Sequence, residues 1–102
     1  MWKNIKGYEG LYQISSYGTV RSLDREVIGK WGKYLRKRKV LGRILDRNGR
    51  YRVSLRKNGK NRKFFIHRLV AEHFCEKPPN TKRVRHKNGI KTDNRDINLM
   101  WE

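Results

Sequence analysis

A chain of 102 residues fits one domain, or two very small modules sharing a core. Its 27 Lys and Arg against 9 Asp and Glu leave a net charge of +18, a field that repels itself and calls for a polyanionic partner, with nucleic acid the first candidate. No apolar run approaches the roughly 20 residues that span a bilayer, the start Met1-Trp2-Lys3-Asn4-Ile5 lacks an apolar signal core, and the single Cys75 excludes an intrachain disulfide. The expectations are therefore no membrane partner and a cytosolic location.

In chain order, Tyr12–Ser15 and Thr19–Leu23 alternate as short strands around a Ser16-Tyr17-Gly18 turn. Residues 24–40 read as the least structured part. Lys30 through Lys39 is crowded with cations, among them Arg36, Lys37 and Arg38, with Trp31, Tyr34 and Leu35 between them. Such a run is either a solvated loop or a phosphate-contacting arm. Residues 40–66 alternate cleanly and break at Asn48-Gly49 and Asn58-Gly59, two hairpin signals. The prediction is a three-stranded antiparallel sheet over 43–46, 50–56 and 61–66. Its middle strand carries Arg50, Arg52 and Arg56 away from the apolar face, where they suit a phosphate backbone. Ile66, Leu69, Val70 and Phe74 then fall at helical spacing, so a short helix over 66–75 should cover the sheet. Pro78-Pro79 ends it. Strands near 83–86 and 97–101 form a last hairpin around an Asn/Gly/Asp-rich loop.

The expected fold class is α+β: small antiparallel sheets with one short helix, ending in a ββ hairpin. Residues 1–40 read as a module with a basic arm, and 41–102 as sheet, helix and hairpin, the two forming one unit. Among single residues, His67 reads as packing or hydrogen-bonding at the helix start, His73 as surface, Cys75 as a small buried hydrophobe and Trp101 as core.

Three blocks resemble a known family. Trp2 to Leu23 resembles the nuclease-associated modular DNA-binding motif that opens many phage HNH homing endonucleases. His67-Arg68-Leu69-Val70-Ala71-Glu72-His73-Phe74 resembles the helix before their catalytic hairpin, and Val84 to Trp101 resembles that hairpin. The resemblance implies a ββα-metal site cutting double-stranded DNA with Mg²⁺ or Mn²⁺, in the cytosol of a phage-infected bacterium. It makes His86 the general base on the attacking water, since a neutral imidazole takes a proton near physiological pH. It makes Asn98 the residue that orients His86, and a possible metal ligand, with Asn94 shaping the loop. DNA contacts are expected from Arg21, Arg36, Lys37, Arg38, Arg50, Arg52, Arg56, Arg68 and Arg85.

Two departures bear on catalysis. Arg85 stands where well-studied members have an aspartate ligand, and a guanidinium cannot bind a cation. The chain also stops four residues after Asn98, before the helix bearing the last metal ligand, so the resemblance implies an incomplete metal site and weakened activity. Asp93 and Asp96 are the nearby carboxylates. A second function class follows: a non-catalytic DNA binder, or a nuclease inhibitor with a protein partner, on a degenerate HNH scaffold. A ribosome-associated RNA binder fits the charge but leaves the His86/Asn98 pattern unexplained.

Overall fold

Glycine-punctuated alternation at the start of the chain makes a meander. The computed structural model, which describes residues 1–102, pairs β1 (Trp2–Asn4) with β2 (Tyr12–Ser15), and β2 with β3 (Val20–Ser22), all antiparallel. Ile5, Ile14 and Val20 turn inward from this sheet and are almost fully buried.

Residues 24–40 are more ordered than their charge suggests. β4 (Arg25–Gly29) and β5 (Gly32–Arg36) form a two-stranded ribbon turning at Lys30-Trp31. Gly32 takes the positive φ of +112° that closes the turn. Gly29 lies under the Tyr34 ring, where a Cβ would come within 2.7 Å of Cε1. Val27 and Tyr34 face each other across the ribbon, and such cross-strand pairs hold β-ribbons together. The cation-rich composition masks a real alternation. Every residue of β5 is exposed, and Trp31 at the tip is 92% exposed.

The central sheet follows the predicted pattern as β6 (Ile44–Leu45), β7 (Tyr51–Lys57) and β8 (Lys60–Phe65). Asn58 and Gly59 both have positive φ, +52° and +75°, which fits a two-residue turn whose twist matches the flanking strands. The earlier turn is wider. There the Asp46 carboxylate accepts backbone hydrogen bonds from Asn48 and Arg50, each at 2.9 Å. Val53 and Leu55 point inward, while Arg52, Ser54 and Arg56 share the outer face.

Helix α1 (Ile66–Phe74) closes over this sheet through Ile66, Leu69, Val70 and Ala71. β9 (Val84–His86) and β10 (Leu99–Trp101) form the last hairpin, with a 3-10 turn, Asp96–Asn98, leading into β10. One core joins all of these. Ile5, Tyr8, Ile14 and Val20 from the first sheet pack with Val53, Leu55, Ile66, Leu69, Val70 and Leu99, and each large aliphatic side chain buried this way is worth about 1.5–3 kcal/mol. The first sheet and the rest of the chain thus share their interior, to which the β4–β5 ribbon adds no core residue. No helix is long and apolar enough to cross a membrane.

Two side chains depart from expectation. His73 is not a bystander on the surface: its Nε2 accepts the Lys6 backbone N–H at 3.0 Å and its Nδ1–H donates to the Leu69 carbonyl at 2.6 Å, so it ties α1 to the N-terminal sheet. Cys75 is only partly buried, and its thiol points at the Asp96 and Leu99 carbonyls at 3.5 and 3.7 Å. Trp101 is buried as expected, its Nε1–H donating to the Ala71 carbonyl at 3.2 Å.

Candidate active site

His86 ends β9, paired across the hairpin with Leu99. Its Nε2 lies 2.8 Å from Asn94 Oδ1. An amide oxygen can only accept, so Nε2 carries the proton and Nδ1 keeps the lone pair. Asn94 is 4% exposed, and a buried acceptor at hydrogen-bond distance selects the tautomer and anchors one edge of the ring. The expectation that Asn98 performs this task is corrected here. Asn98 instead builds the loop: its Oδ1 accepts the Asn88 backbone N–H at 3.1 Å, and its Nδ2 donates to Asn88 Oδ1 at 3.0 Å and to the Asp93 carbonyl at 2.8 Å. The two asparagines exchange the roles that the resemblance implied.

The loop holding Asn94 is braced from the opposite end of the chain. The Asp96 backbone N–H donates to the Ser16 carbonyl at 2.8 Å, and Gly18, at φ +87°, packs directly on Asn94. Within the loop, Arg95 holds the Asp93 carboxylate through two hydrogen bonds of 2.8 Å, and Asn88 adds a third at 2.9 Å. These bonds, Arg95 foremost, keep the Asp93 carboxyl well below the usual carboxylate range. Asp96 Oδ1 accepts the Ile97 N–H at 2.9 Å. Asp93 and Asp96, the nearby carboxylates, are thus both engaged in shaping the loop. No three His, Cys, Asp or Glu side chains converge anywhere to hold an ion.

Arg85 supplies no ligand, and its side chain is directed away from His86. Side chains alternate along a strand, and the Arg85 guanidinium reaches across β10 to Met100 Sδ at 3.0 Å. Its charge lies on the other face of the hairpin from His86.

The site also contains His67, which the sequence places at the helix start. The His67 ring, at the first turn of α1, stands 5.2 Å from the His86 ring at a 51° tilt, and Phe65 stands 5.2 Å from His67 on its own account. His67 is 8% exposed, and its Nδ1 has no hydrogen-bond partner. Burial lowers its pKa from 6.5 to about 4, and the charges of His86, Arg50 and Arg68 add to the effect while Asp46 opposes it. The adjacency of His67 to His86 joins the second and third resemblance blocks into one place, while the Arg68 guanidinium lies over the Trp101 ring and beside the Lys82 carbonyl.

The expected DNA-contacting cations divide. Arg50 and Arg68 bear on His67, and Arg52 lies over the Phe65 ring at 5.9 Å. Arg52 pairs with Phe65, Ser54 with Lys63 and Arg56 with Asn61 on the outer sheet face, so a basic surface runs toward the histidines. Arg36, Lys37 and Arg38 are exposed at the foot of the ribbon. There a cavity of about 340 Å³ has Leu11 and Leu23 among its walls and Arg25, Arg36, Lys37 and Lys39 around it; none of its lining residues belongs to the histidine site. Arg21 is held internally, bound to Gln13 Oε1 at 2.7 and 3.0 Å and stacked 3.9 Å from the Trp2 ring. Across the chain only two ion pairs form, Arg68–Glu72 and Arg95–Asp93, so nearly all the positive charge is left for an outside partner.

Comparison with known proteins agrees with this geometry. Residues 1–56 match the NUMOD4 motif, and residues 64–101 match the HNH endonuclease family. The chain is 43% identical over 100 residues to DNA endonuclease I-HmuI of Bacillus phage SP01, covering 98% of this chain and 51% of that protein. An uncharacterized HNH endonuclease of Acanthamoeba polyphaga mimivirus is 36% identical over 100 residues, covering 98% of this chain and 26% of that protein. A solved structure of the HNH homing endonuclease I-HmuI, on DNA binding and cleavage, superposes with a TM-score of 0.82 at 42% identity and covers 100% of this chain and 52% of that one. The chain therefore spans about half the length, or less, of the curated relatives it matches. It belongs to the proteins that carry the NUMOD4 motif, followed here by a segment that matches the HNH endonuclease model.

Proposed function

We propose that this chain binds double-stranded DNA and contributes the general base of a phosphodiester hydrolase. The observation that carries the reading is the His86–Asn94 contact. With Nε2–H donated to Asn94, His86 Nδ1 is free to take a proton from water. The hydroxide so formed attacks phosphorus, the bond from phosphorus to the bridging oxygen breaks, and the leaving oxygen takes a proton from solvent water. As His86 gains charge, the Asn94 carbonyl accepts the more acidic Nε2–H and stabilises the imidazolium. Arg50 and Arg68, whose charge already reaches His67, supply positive potential where phosphate charge builds. The outer face of the central sheet and the ribbon offer phosphate contacts over a molecule 50 Å long. The relative I-HmuI is a DNA endonuclease by name, which supports the same substrate class.

HNH endonucleases generally use a divalent metal. When bound, such an ion stabilises developing charge on phosphate. The residues here do not make an ion site by themselves, because Asp93 and Asp96 are engaged and no third ligand converges, so no step above passes through one.

The test is nicking of supercoiled plasmid by the purified chain with Mg²⁺ or Mn²⁺, beside His86→Ala and an EDTA control. Metal-dependent nicking that His86→Ala abolishes is expected. Nicking that survives in His86→Ala would remove His86 from the chemistry. A salt-sensitive gel shift with no cutting would leave the binding role and reject the hydrolytic one.

A further inference from the structure

The His67 ring is buried against His86, yet its Nδ1 atom forms no hydrogen bond. A buried nitrogen without a partner is costly, so hydrogen bonding within the chain is not what holds this ring in place. The contacts the ring makes are with other rings. Phe65 and His86 both lie 5.2 Å from it, tilted by 42° and 51°, within the range of favourable aromatic contacts. Asn94 grips His86 at one ring nitrogen only. A single hydrogen bond leaves a ring free to rotate about that contact, and a second constraint from the flank removes the freedom.

We propose that His67 is a positioning residue for the general base: its ring is the platform that holds His86 in the orientation fixed by Asn94, with Nδ1 turned to the water it deprotonates. The inference rests on the reading of His86 as the base.

Electrostatics agree with a platform rather than a proton carrier. Arg50 and Arg68 press positive charge on His67, His86 lies against it, and only Asp46 acts in the opposite sense. Burial keeps the ring neutral through the physiological range. A neutral platform does not oppose the charge that His86 acquires when it takes a proton; a cation in the same place would.

Two variants of the whole chain test this. His67→Phe keeps a flat ring and discards both nitrogens, whereas His67→Ala removes the platform. The first readout is independent of cutting: nitrogen NMR of the His86 imidazole near pH 7.5. Wild type and His67→Phe are expected to show one neutral tautomer with the proton on Nε2, and His67→Ala a mixture of both. The second readout is kinetic. His67→Ala should lower kcat by about 10- to 100-fold, the cost of a misplaced reacting group, with KM changed less than about twofold, since ground-state binding is untouched. His67→Phe should recover most of the loss. A single His86 tautomer in His67→Ala, or a His67→Phe variant as impaired as His67→Ala, would overturn the proposal. If no variant cuts DNA, the hydrolytic reading fails, and the NMR comparison still decides whether His67 orients His86.

Discussion

Gly18 lies flat against Asn94, and a methyl group on its α-carbon would come within 3.0 Å of Asn94 Cβ and 3.2 Å of the Asn94 carbonyl oxygen. A turn of the NUMOD4 motif therefore supports the residue that orients the HNH histidine. The neighbouring Asp96 N–H to Ser16 carbonyl bond, at 2.8 Å, fixes the same contact from the backbone. The N-terminal module is part of the scaffold of the site.

Gly18→Ala combines two effects, and Gly7→Ala separates them. Both glycines have left-handed φ, +87° and +86°, but a Cβ at Gly7 meets nothing within 4 Å. The left-handed backbone costs an alanine roughly 1–2 kcal/mol in either place, or roughly 4–16 °C of Tm, and the contact with Asn94 adds to the loss in Gly18→Ala. Only Gly18→Ala should displace Asn94, with loss of the single His86 tautomer and of cleavage. Equal activity in the two variants, measured at a temperature where both are folded, would break the link between the modules.

The asparagines make a second pair. Asn98→Ala leaves the Asn88 N–H and the Asp93 carbonyl without partners and opens the loop. At about 1 kcal/mol for each net bond, that variant should be destabilised by roughly 2–3 kcal/mol. Asn94→Ala removes one bond and should cost less stability but more rate, with kcat down by about 10²-fold or more. Chemical denaturation beside nicking kinetics would read the contrast. Asn98→Ala showing the larger kcat defect at full stability would restore Asn98 as the orienting residue.

Much of this was legible in the sequence, and the failures have physical causes. Asn58-Gly59 announced its hairpin because two consecutive positive φ angles admit few residue types. The β4–β5 ribbon was hidden because its alternation carries Lys and Arg on both faces, and a strand that buries almost nothing leaves no apolar stripe to read. His86 stood out by motif. The division of labour between Asn94 and Asn98 did not, because both occupy the same loop, and the path of that loop is set by Ser16 and Gly18 from the opposite end of the chain. His73 looked like surface for the same reason: its partner, the Lys6 N–H, belongs to another element.

His67 also predicts how stability depends on pH. Folding lowers its pKa from 6.5 to about 4, so between those values the unfolded chain binds a proton that the native state refuses. The native state then has its full His67 contribution above pH 6.5 and loses it as pH falls toward 4, by roughly 2–3 kcal/mol. His67→Phe cannot take that proton. Its Tm should fall less than that of the wild type between pH 6.5 and 4, whereas both should fall together at lower pH, where carboxylates such as Asp93 protonate. Parallel curves across the upper window would mean that His67 titrates normally.

The ribbon allows binding to be altered without touching the chemistry. Lys30, Lys33 and Arg36 are exposed on it and have no acidic partner, and none belongs to the His86 site. On duplex DNA each phosphate neutralised releases counterions, giving about 0.9 in the slope of log affinity against log salt. Replacing all three with Gln should therefore flatten that slope by about 2 to 3 if each meets a phosphate. Trp31→Ala, at the exposed tip, removes stacking or groove contact but no charge, so it should weaken binding without changing the slope. In both variants the His86 tautomer should be unchanged, and cleavage at saturating DNA should stay near the wild-type rate. A slope unchanged in the triple variant would place the ribbon off the DNA and leave the outer face of β7 and β8, with Arg52, Arg56 and Lys63, as the surface that follows the phosphates.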